Sequence, residues 1–84
     1  MPRIVIYSKP RCSLCVEARE ELERVRAEMS SPPFSLEEVD IAGDPALTAA
    51  YGEFIPVVTL DGRVVFKYFV DATRLRELLR EVTE

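Results

Sequence analysis

The 84-residue chain contains no histidine, tryptophan, asparagine or glutamine. Without histidine there is no imidazole to serve as a general base or metal ligand. No run of 18 apolar residues occurs, so nothing reads as a membrane-spanning helix. Basic residues are in the minority, with 11 Lys and Arg against 15 Asp and Glu, and they form no basic stripe. That balance argues against a nucleic-acid partner. Repeats, linkers and low-complexity segments are missing too, and residues 1–84 read as one small domain. Met1-Pro2-Arg3 runs directly into a strand-like segment and lacks the long apolar stretch and cleavage site of a signal peptide. The expected compartment is the cytoplasm, which keeps thiols reduced.

What is present is ordered. Arg3 to Tyr7 is β-branched and apolar, as in a buried strand. Pro10 marks a turn. From about Ser13 to Met29, Ala18, Leu22, Val25 and Met29 recur at helical spacing and form one apolar stripe, with Glu20 and Arg24 placed to pair at i,i+4. Ser30 to Pro33 reads as a loop, and Phe34 to Ile41 as a strand with a phase break at Glu37-Glu38. Asp44-Pro45 has the signature of a helix start, and Gly52 of its stop near Tyr51. Val57 to Leu60 and Val64 to Phe69 flank Asp61-Gly62, a strong hairpin signal. Asp71 is placed to cap a last helix with Leu75, Leu78, Leu79 and Val82 on its inner face. The expected order is β-α-β-α-β-β-α. A right-handed βαβ unit leads into an antiparallel hairpin, giving an α/β fold with a four-stranded mixed sheet and helices on both faces.

The only two cysteines, Cys12 and Cys15, stand at C-x-x-C spacing where the first helix begins. Two thiols one helical turn apart interconvert with a disulfide at little cost in chain movement. A sulfur at a helix start lies near unpaired backbone N–H groups and the positive end of the dipole, and Lys9 and Arg11 add positive charge. Both effects favour the thiolate, which is the nucleophile in disulfide exchange. Cys12 is therefore the expected nucleophile and Cys15 the resolving thiol. Three plainer readings compete. A structural disulfide closing so short a loop restrains the unfolded chain by only about 2 kcal/mol. A zinc site needs about four ligands, so two chains would have to share one metal ion or iron–sulfur cluster. Two inert buried thiols fit poorly at a polar, Pro-bounded turn. A further possibility is a redox sensor that changes its surface on oxidation without turnover.

The stretch Ile4-Val5-Ile6-Tyr7-Ser8-Lys9-Pro10-Arg11-Cys12-Ser13-Leu14-Cys15 resembles the strand, lysine turn and active site of glutaredoxins, in particular small bacterial glutaredoxin-like proteins with a Cys-x-Leu-Cys site. Ile55-Pro56-Val57-Val58 resembles the segment that carries the cis-proline of the thioredoxin fold, and the element order agrees with that fold along the whole chain. The resemblance implies a monomeric, glutaredoxin-like thiol–disulfide oxidoreductase without a bound cofactor or metal. Its partners would be a disulfide-containing protein or a glutathione mixed disulfide, with a reductase or glutathione as electron donor and glutathione as a candidate co-substrate. It implies that Pro56 is cis and lies against the dithiol, that Ile55 offers its backbone to substrate, and that Lys9 lies near a glutathione carboxylate. Asp71 would cap the last helix or receive the glutathione amine. The resemblance lapses at two places. Ser13-Leu14 stands where glutaredoxins commonly have Pro-Tyr, and Phe69-Val70 where they have Gly-Gly. The exchange chemistry is left intact, while much of the usual glutathione recognition is missing.

Overall fold

The computed structural model describes residues 1–28 and 32–83. Seven elements follow in the order β1 (Arg3–Ser8), α1 (Ser13–Ala27), β2 (Ser35–Asp40), α2 (Pro45–Tyr51), β3 (Val57–Leu60), β4 (Arg63–Lys67) and α3 (Ala72–Thr83). This is the expected β-α-β-α-β-β-α order. Met29 and the loop start at Ser30-Ser31 lie outside the described residues.

The strands form one sheet in the order β2-β1-β3-β4. β1 pairs with β2 in parallel, as the helical crossover demands, and with β3 antiparallel; β3 and β4 form the hairpin. Its turn needs left-handed backbone at both central residues, and Asp61 (φ 50°) and Gly62 (φ 88°) supply it. Pairing shifts by one residue after Val58↔Phe66, so that Thr59 faces Val64 and Val65 is the extra residue of a bulge.

Strand alternation sends Ile4, Ile6, Val58 and Leu60 to one face, where they join Ala18, Leu22 and Val25 of α1 and Leu75 and Leu79 of α3 in a single core. Tyr7 points the other way, and its ring stacks on Tyr51 of α2 with centroids 4.7 Å apart. Helices therefore cover both faces, although α2 itself has no buried residue. Its ends follow the sequence: Asp44 Oδ1 accepts the Leu47 N–H, and Pro45 takes the first helical position. Gly52 ends α2 in right-handed, not left-handed, backbone (φ −55°), and glycine is needed there because a Cβ would come within 2.5 Å of the Thr48 carbonyl oxygen.

Four details depart from expectation. The return strand stops at Lys67, short of Phe69, because Tyr68 adopts left-handed backbone (φ 71°), which no strand contains. Val82 is 42 % exposed and is not part of the packed core, because on the inner side of the last turn of α3 it borders an open cavity between β4 and α3. Arg24 pairs with Glu21 at i,i+3, where Glu20 was expected. Glu37 and Glu38 break the alternation of β2 because that strand is an edge: both are exposed and reach the cations Arg3 and Arg19. At the end of α1, Glu28 takes two hydrogen bonds from Arg76 of α3, at 2.9 and 2.6 Å. These bonds, together with the Glu28 charge, outweigh partial desolvation and raise the Arg76 pKa above the ordinary arginine value.

Candidate active site

The site is assembled at the C-terminal end of β1. The chain leaves the strand at Ser8, whose hydroxyl donates to Glu38 Oε2 at 3.0 Å, and turns through Pro10 and a left-handed Arg11 (φ 61°). It enters α1 with Cys12 as the N-cap residue in extended backbone (φ −107°, ψ 107°). The Cys12 sulfur takes the role that a Ser or Asp oxygen usually has at this position. It accepts the Cys15 backbone N–H at 3.1 Å, and the Cys12 carbonyl accepts the Val16 N–H at 3.1 Å, the first hydrogen bond of the helix. Cys12 and Cys15 are joined as a disulfide with Cα atoms 5.2 Å apart, an ordinary separation for such a bond. They differ in access: Cys15 is only 3 % exposed, whereas Cys12 is half-buried.

The proline segment arrives through the sheet. Tyr7 pairs with Val57, which brings Pro56 to the same end of the sheet as the turn that carries Cys12. The Ile55–Pro56 peptide bond is cis, in agreement with the expectation, and Pro56 is buried. Its carbonyl accepts the Tyr68 N–H at 2.8 Å, tying the turn after β4 to this segment. Tyr68 also meets Phe54 edge-on at 6.3 Å, and Lys67 Nζ lies 4.4 Å from the centre of the Phe54 ring. Among the described residues Ile55 makes no backbone hydrogen bond, which leaves its N–H and carbonyl available at the half-buried end of the segment.

The remaining expected residues fall around this centre with different fates. Lys9 lies in a shallow cleft of about 300 Å³ shared with Ser8, Pro10, Glu38 and Asp40, so its surroundings are partly acidic. Arg11 is exposed. Asp71 is the N-terminal cap of α3: its Oδ1 accepts the N–H groups of Thr73 and Arg74 at 3.0 and 3.2 Å. Among the described residues no group of three or more Cys, Asp, Glu or His side chains is gathered in a way that could hold a metal ion. No helix among them is long and apolar enough to cross a membrane.

One part of the site was not foreseen. Leu14, on the first turn of α1, and Tyr68-Phe69-Val70, on the turn before α3, line opposite sides of a groove of about 110 Å³, with Ala18 at its base and Glu17 and Glu21 as its charged members. Both segments are visible in the sequence as departures from the glutaredoxin pattern, but their meeting depends on how α1 and α3 pack. A larger cavity of about 640 Å³ lies between β4 and α3 at the opposite, hairpin end, bordered by Asp61, Val64 and Val82.

These features agree with the relationships of the chain. A protein of Mycobacterium tuberculosis, Rv0508, described as uncharacterized, is 35 % identical over 78 residues, which cover 89 % of this chain and 79 % of that protein. A crystal structure of protein XcR50 from X. campestris superimposes with a TM-score of 0.73 at 34 % identity, covering 93 % of this chain and 96 % of that one. A thioredoxin of Halobacterium salinarum shares the fold with a TM-score of 0.67 at 22 % identity, covering 99 % of this chain and 75 % of its own. The glutaredoxin-like domain family (DUF836) matches residues 3–80, and the chain is a member of that family with the thioredoxin fold and a closely spaced cysteine pair.

Proposed function

We propose that the chain is a thiol–disulfide oxidoreductase that cycles Cys12 and Cys15 between dithiol and disulfide and so reduces protein or small-molecule disulfides. The observation that carries this reading is the hydrogen bond from the Cys15 N–H to the Cys12 sulfur at the N-cap of α1. In the reduced protein the same N–H group and the helix dipole favour a Cys12 thiolate, and Lys9 and Arg11 add to that field. Cys12 attacks one sulfur of the substrate disulfide. A Cys12–substrate disulfide forms and the other substrate sulfur leaves as a thiolate. Cys15 then loses its proton to solvent and attacks the Cys12 sulfur, so that the second substrate thiol leaves and the Cys12–Cys15 disulfide closes. Two electrons pass to the substrate, and a dithiol reductase or two molecules of glutathione restore the pair.

In this reading cis-Pro56 borders the exchange centre, and the free backbone of Ile55 pairs with an extended substrate. Asp71 acts as the helix cap through Oδ1, and its charge is available to an entering amine. No bound cofactor or metal takes part, and glutathione is at most a co-substrate. One chain suffices, because nucleophile and resolving thiol belong to the same turn, so a monomer is the proposed working form. The reductants that the cycle needs are those of the cytoplasm.

The test is Cys15→Ser. This variant retains the nucleophile and loses the resolving thiol. Mixed with disulfide substrates, it is expected to accumulate a covalent adduct on Cys12, visible as a mass increase that dithiothreitol removes, while the unaltered protein turns over. Failure of both proteins to react with any disulfide would leave no redox function for the pair. Adduct formation without turnover by the unaltered protein would support a sensor instead.

A further inference from the structure

The groove between Leu14 and Phe69 lies along the first turns of α1, and Leu14, the residue before Cys15, is its member nearest the reactive pair in the chain; neither cysteine lines it. Its apolar walls are unusually open to solvent: Leu14 is 46 % and Phe69 68 % exposed. Burying such surface against a partner is favourable by roughly 25 cal/mol per Å². The volume, about 110 Å³, is well below the roughly 300–1,000 Å³ of a site for a whole small molecule. It suits one inserted side chain. The charges point the same way. Among the described residues Glu17 has no ion-pair partner, and Glu21 is paired only with Arg24 of its own helix. Elsewhere, in the Lys9 cleft, Glu38 is paired with Arg19 and so differs from Glu17. A cation beside the groove therefore meets the Glu17 carboxylate, which no basic side chain among the described residues neutralises, and an anion there meets the same charge unscreened.

We propose that this groove sets the substrate class of the exchange centre: it takes an apolar side chain next to the target cysteine of an extended protein segment that also carries a basic residue. The inference rests on the oxidoreductase reading and adds a preference to it. Glutathione carries a net negative charge and no apolar side chain beside its cysteine, so it is the disfavoured substrate. The exchange step is unchanged. Cys12 thiolate displaces one substrate sulfur, Cys15 displaces the other, and the electron pair that leaves the protein dithiol appears as two substrate thiols.

The experiment is a single-turnover comparison. Protein reduced with dithiothreitol and freed of it is mixed with thionitrobenzoate mixed disulfides of two carriers, an acetylated and amidated Leu-Cys-Lys peptide and glutathione, and release of the chromophore is followed. Hydroxyethyl disulfide, which is small and uncharged, serves as a third substrate, read through the loss of protein thiols. The peptide is expected to react about tenfold faster than glutathione, the scale set by burying one apolar side chain. Phe69→Ser should erase most of that ratio, and Glu17→Lys should reduce it by about fivefold through charge alone, an effect that shrinks as salt is added. Both substitutions fall on exposed side chains, so the core is untouched. Equal rates for peptide and glutathione, or a ratio that survives Phe69→Ser, would overturn the groove proposal. If hydroxyethyl disulfide is reduced in that case, the oxidoreductase reading stands without it; if none of the three substrates reacts, that reading itself fails.

Discussion

The two ends of the sheet solve the same backbone problem with different residues. At the hairpin end, left-handed backbone falls on Asp61 and Gly62, an acidic residue that tolerates it and a glycine that has no Cβ to clash. At the cysteine end it falls on Arg11 and Tyr68, whose side chains make the same conformation unfavourable by about 1–2 kcal/mol each. The unfavourable choices are held by their surroundings. Arg11 is fixed between Pro10 and the helix cap at Cys12, and the Tyr68 N–H is bonded to the Pro56 carbonyl. Strain is thus concentrated where the reactive sulfur, the cis-proline segment and the groove converge, and is absent from the turn that merely reverses the chain.

Substitutions of opposite sense at the two ends test this contrast. Gly62→Val should have the largest effect, a loss of about 1–2 kcal/mol in the free energy of unfolding, measured by urea titration. An added Cβ at this position meets nothing within 4 Å, so the cost is conformational and disulfide exchange should be unaffected. Arg11→Gly should act in the other direction, raising stability by about 0.5–1 kcal/mol once the greater freedom of glycine in the unfolded chain is counted. The same change should slow the reaction of Cys12 with iodoacetamide at neutral pH, because it removes a cation next to the thiolate. Equal signs at the two ends would break the comparison. The smallest effect is expected at an unstrained feature of the cysteine end. Asp71→Asn keeps a good cap and should alter stability by only about a few tenths of a kcal/mol. A selective fall in the rate with the glutathione mixed disulfide would then show that the Asp71 charge, apart from capping, contributes to binding.

The same contrast explains what could be read from the sequence. Asp61-Gly62, Asp44-Pro45 and Asp71 are residue types suited to the conformations they adopt, so the hairpin and two helix starts were legible. The cysteine spacing and its position before the apolar stripe of α1 were legible for the same reason. Arginine and tyrosine carry no mark of left-handed backbone, so the turn at Tyr68 was hidden and β4 was expected to run on to Phe69. Val82 follows the apolar spacing of α3 but borders the open cavity between that helix and β4, and helical periodicity does not report where two layers stop touching. Glu20 and Glu21 are both within helical reach of Arg24, and side-chain geometry selected Glu21. Leu14 and Phe69 were each visible as departures from a known pattern, but their common groove is a product of tertiary packing.

The bond from the Tyr68 N–H to the Pro56 carbonyl joins backbone to backbone. It does not depend on which side chains occupy the turn, provided position 68 is not proline. The exposed side chains at 68 and 69 are therefore free to drift while the turn stays docked at the cysteine end of the sheet, with Val70 packed on the core. Such an arrangement separates the inheritance of chemistry from that of selectivity: one piece of chain preserves the reaction, and two exposed side chains elsewhere can be rewritten to change what the reaction is used on.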